Sequence, residues 1–221
     1  MSKHFQREID NLKKKILTVG ATVEERIAQA IAAVIQHDAK LAEQVAEGDE
    51  EIDMMEVEVE EECLKILALY QPVAIDLRFV VAVLKINNDL ERMADLAVNI
   101  ARRASYLARY PNLEVPPHLA AMAQKTQAMV KQSLDALVRQ DPELARRVCA
   151  ADYEVDQLNR QMHVLIQAQI RATPERVEQL IHMLSVSRHL ERIADLATNV
   201  AEDVIYTVTG EIVRHRTAAY S

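Results

Sequence analysis

The chain carries two copies of one sequence. Residues 90–101, LERMADLAVNIA, return as LERIADLATNVA at residues 190–201, a spacing of 100 positions. Six earlier residues return at a spacing of 103: Asp38, Leu41, Val45, Asp49, Ile52 and Asp53 become Asp141, Leu144, Val148, Asp152, Val155 and Asp156. The order of elements is therefore the same in both halves. A tandem duplication predicts two similar supersecondary units, and a site in the first copy should recur in the second.

Composition and the spacing of apolar residues predict helices. Three Gly and 4% aromatic residues stand beside 50% hydrophobic residues in 221 positions, which is typical of a helical protein. Apolar residues at intervals of three and four predict a first helix over about residues 5–36 and a third that carries Leu90, Met93 and Ala97. We expect an all-α fold of two tandem, structurally similar three-helix bundles with six long helices, the first repeat at 1–110 and the second at 111–221.

Polar residues and prolines predict where the helices begin and end. Asp141, followed by Pro142, is a typical helix cap, and its counterpart Asp38 is expected to cap a short helix in the first copy. A long second helix then follows in each copy. Its expected limits are Gly48-Asp49 to Pro72 in the first copy and Asp152 to Pro174 in the second.

Charge and apolar content exclude several classes of protein. The net charge of −8 argues against binding to nucleic acid, which needs a basic face. Apolar runs stay far below the roughly 20 residues of a membrane span, and the charged N-terminus lacks the core of a signal peptide. We expect a cytoplasmic protein. Cys63 and Cys149 are not equivalent in the two copies, which argues against a disulfide or a zinc knuckle.

Acidic side chains repeat on one face of the second helix. Asp49, Asp53, Glu56 and Glu60 are spaced i, i+4, i+7 and i+11, and the second copy has Asp152, Asp156, Asn159 and His163 at the same spacing. These positions share a helix face. Oxygen and imidazole donors are the ligands that hard and borderline metals prefer. The pattern predicts a metal site or a surface for a basic partner, because stacked acids destabilise a helix unless a cation offsets them.

The third helix repeats the same pattern in both copies. Glu91, Asp95 and Asn99 are spaced i, i+4 and i+8, and so are Glu191, Asp195 and Asn199. They project away from the apolar stripe, and an E-x-x-x-D pair one turn apart can hold a cation jointly. We therefore predict metal ligands at Glu91, Asp95, Glu191, Asp195, Asp49, Asp53, Asp152 and Asp156, with Asn99, Asn199, Glu56 and His163 as weaker candidates.

Other interpretations of these acids are open. Asp49 and Asp152 can serve as helix caps, and the remaining acids can form a solvated face or surface ion pairs with Arg92, Arg103 or Arg188. A helical carboxylate metalloenzyme is a second alternative. It lacks support, because the chain has no Glu-x-x-His pair, no HExxH and no glycine-rich phosphate loop. A metal-binding or purely structural helical scaffold is a third. We expect no catalytic residues and no enzyme.

Three segments together resemble the PhoU family of regulators of bacterial phosphate uptake. They are EGDEEIDMMEVEVEEEC (47–63), YQPVAIDLRFV (70–80) and the two LERxAD motifs, and the resemblance covers nearly the whole chain. It implies two similar three-helix bundles with multinuclear metal clusters at the E/DxxxD motifs. Many relatives have LERIGD, where this chain has Ala94 and Ala194. Ala is still small enough for a close approach at that position.

The same resemblance implies a role. A PhoU-like protein is expected to restrain the phosphate-starvation response, as a negative regulator and adaptor between the ATPase of a phosphate ABC transporter and a membrane sensor histidine kinase. Such a protein acts in the cytoplasm, at the inner face of the membrane when its partners hold it there, and we expect a homodimer. The cofactor implied is a metal ion, with Fe, Zn, Mn and Mg all open.

Overall fold

The structure is a computed structural model that describes residues 3–48, 50–211 and 213. These residues form helices and contain no strand. The helices are α1 (Lys3–Gln36), α2 (Ala39–Glu47), α3 (Glu50–Tyr70), α4 (Ala74–Leu107), α5 (Pro117–Arg139), α6 (Pro142–Ala172) and α7 (Val177–Thr209), with a 3₁₀ turn at Pro174–Arg176. None of them has a stretch long and apolar enough to span a membrane.

The two expected bundles are confirmed. In the first, α4 packs against α1, α2 and α3, and in the second α5, α6 and α7 pack against one another. The bundles meet where α4 contacts α7 and α1 contacts α5. The apolar stripe of α4 lies inside, with Leu90, Met93 and Ala97 fully buried. Burying a large apolar side chain contributes about 1.5–3 kcal/mol to stability, which offsets part of the loss of chain entropy on folding.

Helices α4 and α7 are antiparallel. Near the start of α4, the Nε of Arg78 lies 3.5 Å from the carbonyl oxygen of Thr207, near the end of α7. Near the end of α4, the hydroxyl of Tyr106 donates a 2.7 Å hydrogen bond to the carboxylate of Glu178, in the first turn of α7. This direction brings residues 90–101 and 190–201 opposite each other at the centre of the molecule.

Both predicted helix caps are confirmed. The carboxylate of Asp38 accepts a 3.0 Å hydrogen bond from the backbone N–H of Leu41. The carboxylate of Asp141 accepts hydrogen bonds of 2.9 and 3.0 Å from the N–H groups of Glu143 and Leu144. Caps of this kind stabilise a protein by about 1 kcal/mol each.

The prediction that a separate helix begins at Asp152 was wrong. α6 runs without interruption from Pro142 to Ala172, so Asp152 lies inside it and does not cap a helix. The reason lies at one equivalent position: Gly48 ends α2 in the first copy, and the second copy has Ala151, the best helix former. The first-copy counterpart, Asp49, lies outside the described residues.

Candidate functional site

Four carboxylates of the second copy face one another between α6 and α7. Asp152 and Asp156 lie one turn apart on α6, and Glu191 and Asp195 lie one turn apart on α7. The contact between the two helices is fixed nearby, where the hydroxyl of Ser187 donates a 2.6 Å hydrogen bond to the side-chain oxygen of Asn159. The two E/DxxxD pairs that the sequence predicted as ligands are thus brought together. We call these four residues the second-copy cluster.

Three carboxylates of this cluster have raised pKa values, mainly because they are partly buried and also because they lie near one another. The pKa of Asp152 is raised to about 6, first by burial and then by the charges of Asp195, Asp156, Glu191 and Glu202. Burial is also the main cause that raises the pKa values of Glu191 and Asp195, followed by the charges of neighbouring carboxylates. Raised carboxylate pKa values mean that the ionised cluster is destabilised as it stands. A cation placed among these side chains would remove that cost.

Ion pairs with basic residues offset little of this charge. The Nη2 of Arg160 lies 3.2 Å from the carboxylate of Asp156, on a solvent-exposed part of α6. Arg92, expected beside the first LERxAD pair, instead lies 3.5 Å from the carboxylate of Asp89. Within the described residues, Asp195 makes no ion pair of 4 Å or less with Lys or Arg. The surface ion-pair interpretation therefore fits Asp156 better than it fits Asp195.

The first copy has an equivalent set of acids, of which Asp53 is more exposed than its counterpart Asp156. Asp53 and Asp95 are exposed, and Glu56 and Glu91 are half-buried. The pKa of Glu56 is raised by burial and then by the charges of Glu60 and Asp53, which confirms that these residues share a face. The side-chain N–H of Asn87 donates a 2.8 Å hydrogen bond to the backbone oxygen of Glu56. This bond fixes α3 on α4 where the Ser187–Asn159 bond fixes α6 on α7.

A cleft between the two bundles joins the LERxAD motifs. It has a volume of about 500 Å³ and is lined by residues of α4 and α7. Most of them come as equivalent pairs, 100 positions apart: Arg92 and Arg192, Asp95 and Asp195, Leu96 and Leu196, Asn99 and Asn199. Thr198 also lines the cleft, and its buried hydroxyl has no hydrogen-bond partner among the described residues. Each bundle thus contributes half of a cleft on a local twofold axis.

The sequence did not predict that the two LERxAD motifs line the same cleft. Duplication shows that Asp95 and Asp195 are equivalent, but it does not show that their helices contact each other. The two arginines and Thr198 were also missed as cleft residues. The signal available was Arg92 and Arg192 themselves, since both copies keep Arg beside the predicted ligands.

The weaker ligand candidates divide into two groups. Asn99 and Asn199 line the cleft, beside Asp95 and Asp195. His163 is exposed and lies on the far side of Asn159 from the second-copy cluster, so it is not brought to the carboxylates. A further histidine, His189, has its pKa lowered by burial and then by the charges of Arg103, Arg192 and Arg188. That positive environment is unfavourable for a metal ligand.

The fit of these residues to a metal ion is partial. All four donors of the second-copy cluster are carboxylates, which suit hard cations, and a cation would offset the cost of ionisation that raises the pKa values of Asp152, Glu191 and Asp195. The side chains are not arranged as a ready coordination shell. Across the part of the chain that the structure describes, no three His, Cys, Asp or Glu side chains are placed to hold a metal ion.

The fold and the duplicated motifs can now be compared with known proteins. A family model of the PhoU domain matches residues 7–104 and again residues 119–204. The chain belongs to the PhoU family. It is 39% identical over 210 residues to the phosphate-specific transport system accessory protein PhoU homolog of Aquifex aeolicus, covering 95% of each sequence. The corresponding PhoU homolog of Zymomonas mobilis is 36% identical, with 97% of this chain and 91% of that protein covered.

Solved PhoU structures have the same architecture. The crystal structure of PhoU from Pseudomonas aeruginosa matches with a TM-score of 0.89 and 36% identity, covering 94% of this chain and 100% of that one. The phosphate transport system regulatory protein PhoU from Streptococcus pneumoniae matches with a TM-score of 0.85 and 28% identity, covering 95% and 99%. The shared fold therefore extends over both bundles.

Proposed function

We propose that this PhoU-family protein is an accessory protein of a phosphate transport system and a negative regulator of the phosphate-starvation response. The observation that carries the proposal is the match to both bundles of relatives that are named as phosphate-specific transport system accessory proteins. Those names describe accessory proteins rather than enzymes. We propose a non-enzymatic, cytoplasmic protein that acts by contact with others.

The proposed contacts are with the transporter ATPase and with a membrane sensor histidine kinase. An adaptor needs two separate surfaces, and two bundles joined along α4 and α7 offer them. Supporting this, the faces of α3 and α6 that point away from the core differ in charge and apolar content. Formation of a homodimer stays a prediction.

Gene deletion tests the regulatory role. In a strain grown at high phosphate, we expect deletion to raise expression of a phosphate-starvation reporter and to change the rate of phosphate uptake. Supplying the wild-type gene on a plasmid should restore both. Unchanged reporter expression and uptake in the deletion strain would refute the proposal.

We further propose that the carboxylate pairs of both copies bind divalent or trivalent cations. Support comes from the duplicated E/DxxxD spacing and from the raised pKa values of the second-copy cluster. When bound, the cation would neutralise charge and draw Asp152 and Asp156 towards Glu191 and Asp195. The side chains would have to move to do this, since they are not preset as ligands.

Metal content of pair variants tests this site. We expect Glu91→Gln/Asp95→Asn to remove about half of the bound metal, Glu191→Gln/Asp195→Asn the other half, and the four-fold variant nearly all. The measurement is elemental analysis of protein purified without chelator, with melting temperatures as a control for folding. Wild-type metal content in the four-fold variant would eliminate both LERxAD pairs as ligands.

A further inference from the structure

Exposed apolar side chains are concentrated in one part of the first copy. Thirteen large apolar residues of the described chain are exposed, and seven of these lie within residues 54–77: Met54, Val57, Leu64, Leu69, Val73, Ile75 and Leu77. Single exposed apolar residues are normal on a protein surface, but a contiguous group marks a binding site. More than half of the exposed apolar residues therefore lie on α3, the turn that follows it and the beginning of α4.

Three of these residues form a stripe along the outer face of α3. Met54, Val57 and Leu64 are exposed by 64%, 51% and 53%. Their spacing, i, i+3 and i+10, is that of the a and d positions of a coiled coil, with Glu61 in the intervening a position. The opposite face is the one that packs into the bundle, through Ile52, Val59, Cys63 and Ile66, each at most 1% exposed. We call Met54, Val57 and Leu64 the α3 seam.

Acidic side chains flank the seam on both sides. Asp53 and Glu60 lie on one side of it and Glu58 on the other, and all three are exposed. The carboxylate of Glu58 pairs with the Nζ of Lys15 at 2.8 Å. Within the described residues, Glu60 and the intervening Glu61 make no ion pair of 4 Å or less. The surface is therefore an apolar strip with unneutralised negative charge at its centre and edge.

The second copy serves as an internal control for this surface. The residues equivalent to Met54, Val57 and Leu64 are Gln157, Arg160 and Gln167. α6 packs in its bundle as α3 does, with Val155, Met162 and Ile166 buried. The fold therefore does not require apolar residues at these three positions. α6 does expose Val164, at the position equivalent to Glu61, and Tyr153, so what is particular to α3 is the apolar set Met54, Val57 and Leu64. These three residues call for a role outside the packing of the bundle.

We infer that the α3 seam docks a basic amphipathic helix of a partner protein. Apolar residues at a and d positions fit the apolar stripe of such a helix, and the flanking acids fit Lys or Arg at its edges. Charge complementarity decides among occupants: a second α3 seam would place acids against acids, and an anionic membrane surface would also be repelled. The inference rests on the proposed adaptor role and names the surface that one partner uses.

A designed peptide tests the seam directly. The probe is a fluorescently labelled peptide of three heptads, with Leu at a and d and Lys at e and g. Its affinity is measured by anisotropy for wild-type protein, for Met54→Glu/Leu64→Glu, and for the matched control Gln157→Glu/Gln167→Glu. Both variants add two negative charges, so simple attraction to an acidic protein would tighten binding in both. Circular dichroism melts confirm that both variants fold.

If the peptide docks on the α3 seam, the seam variant should bind it more weakly and the control variant should not. We expect the seam variant to bind the peptide at least tenfold more weakly than wild type, and the control to stay within about twofold. Equal affinity for both variants, or no binding by wild type, overturns the inference. A dimer of the wild-type protein also overturns the inference, if sedimentation velocity shows that the seam substitutions dissociate it and the control substitutions do not. In that case a second copy of the chain would occupy the α3 seam.

The same variants connect the seam to the function. In the deletion strain at high phosphate, we expect the control variant to restore repression of the starvation reporter and the seam variant to fail. Full repression by the seam variant overturns the inference while the proposed regulatory role stands. If deletion itself leaves the reporter unchanged, the proposed function fails, and the peptide measurement judges the seam separately.

Discussion

The two copies differ most at the junction between their first and second helices. In the first, α2 ends at Glu47 and Gly48 separates it from α3; in the second, α6 continues through the equivalent Ala151. Opposite this junction the first copy has Arg26, and the second has Met129 at the equivalent position of α5. A Cβ on Gly48 would lie 2.7 Å from the Nη1 of Arg26. The break in the helix and the buried arginine therefore belong together.

This difference shows how a duplicated unit can diverge without losing its core. Arg26 is only 9% exposed, and its Nη1 has no hydrogen-bond partner among the residues that the structure describes. Met129 is 2% exposed and places no charge in the bundle. The first copy thus carries a buried cation beside a broken helix, and the second carries an uninterrupted helix in which the pKa of Asp152 is raised, mainly by burial. Substitutions in both copies test this comparison, from the largest expected effect to the smallest.

Met129→Arg gives the second copy the buried charge of the first. The position is almost fully buried, and Ala151 has a Cβ where the first copy has none. We expect the free energy of unfolding to fall by about 3 kcal/mol, because an uncompensated buried charge costs that much or more. Urea denaturation monitored by circular dichroism measures it.

The double variant Met129→Arg/Ala151→Gly shows whether glycine is what accommodates the arginine. Ala151→Gly alone should cost about 1 kcal/mol in a helix interior. We expect the double variant to lose at least about 1 kcal/mol less than the sum of the two single losses, since the two positions are coupled. Strict additivity would separate the broken helix from the buried arginine and break the comparison.

Asp152→Asn removes the most strongly perturbed acid of the second copy. Its pKa of about 6 in the folded protein lies above the 3.8 of an unperturbed aspartate, so folding favours the protonated form. This contribution to stability is fully present below about pH 4 and is lost as the pH rises through about 6. In the presence of chelator at pH 7, we expect Asp152→Asn to stabilise the protein by roughly 1–2 kcal/mol, a figure reduced to allow for solvent screening.

The pH dependence and a control variant at an exposed acid sharpen this prediction. Unfolding free energies of wild type should fall between pH 4 and pH 6, and Asp152→Asn should flatten that fall. Asp53→Asn, at an exposed acid of the first copy, should change stability by less than about 0.5 kcal/mol. Destabilisation by Asp152→Asn in metal-free protein would mean that the ionised carboxylate has a stabilising partner.

The sequence predicted the helices better than it predicted where one helix ends and the next begins, or which helices contact each other. The three-and-four spacing around Leu90, Met93 and Ala97 predicts a buried stripe because burial on a helix follows its period. The prediction of a separate helix at Asp152 was wrong. It relied on the equivalence of Asp152 with Asp49 and overlooked that the residue before Asp152 is Ala151, where the first copy has Gly48. Helix propensity at that one residue decided the junction.

The candidate site was predicted in its residues but not in its arrangement. Helical periodicity places Asp152 with Asp156 and Glu191 with Asp195, since each pair is one turn apart. The packing of α6 on α7, which brings the pairs together, depends on contacts that a one-dimensional pattern does not contain. The cleft shared by Asp95 and Asp195 depends in addition on the antiparallel contact of α4 with α7.

Gly48→Ala tests the close approach of Arg26 to the backbone. Gly48 has φ −90 and ψ 22, values open to alanine, so the obstacle is the guanidinium and not the backbone. We expect Gly48→Ala to destabilise the wild-type protein, by up to about 1 kcal/mol. In the Arg26→Met background it should stabilise by about 0.4–1 kcal/mol, through a less flexible unfolded chain. The same sign in both backgrounds, in urea denaturation, would show that Arg26 does not restrict this position.

Arg160→Val places the first copy's residue, Val57, at its equivalent position on α6 and removes the ion pair with Asp156. The side chains of Arg160 and Asp156 are 62% and 38% exposed, so water screens their attraction and the 3.2 Å pair stabilises little. We expect a change in unfolding free energy of less than about 0.5 kcal/mol at low salt, and a smaller one at 1 M salt, where the screening length falls to about 3 Å. Lys15→Met, which removes the exposed pair with Glu58, is the matched first-copy variant and should behave alike. A different outcome would be a loss above about 1 kcal/mol for Arg160→Val but not for Lys15→Met, abolished by 1 M salt. It would mean that Arg160 offsets the charge of the whole second-copy cluster. The second copy would then carry its compensating cation on α6, as the first carries Arg26 on α1.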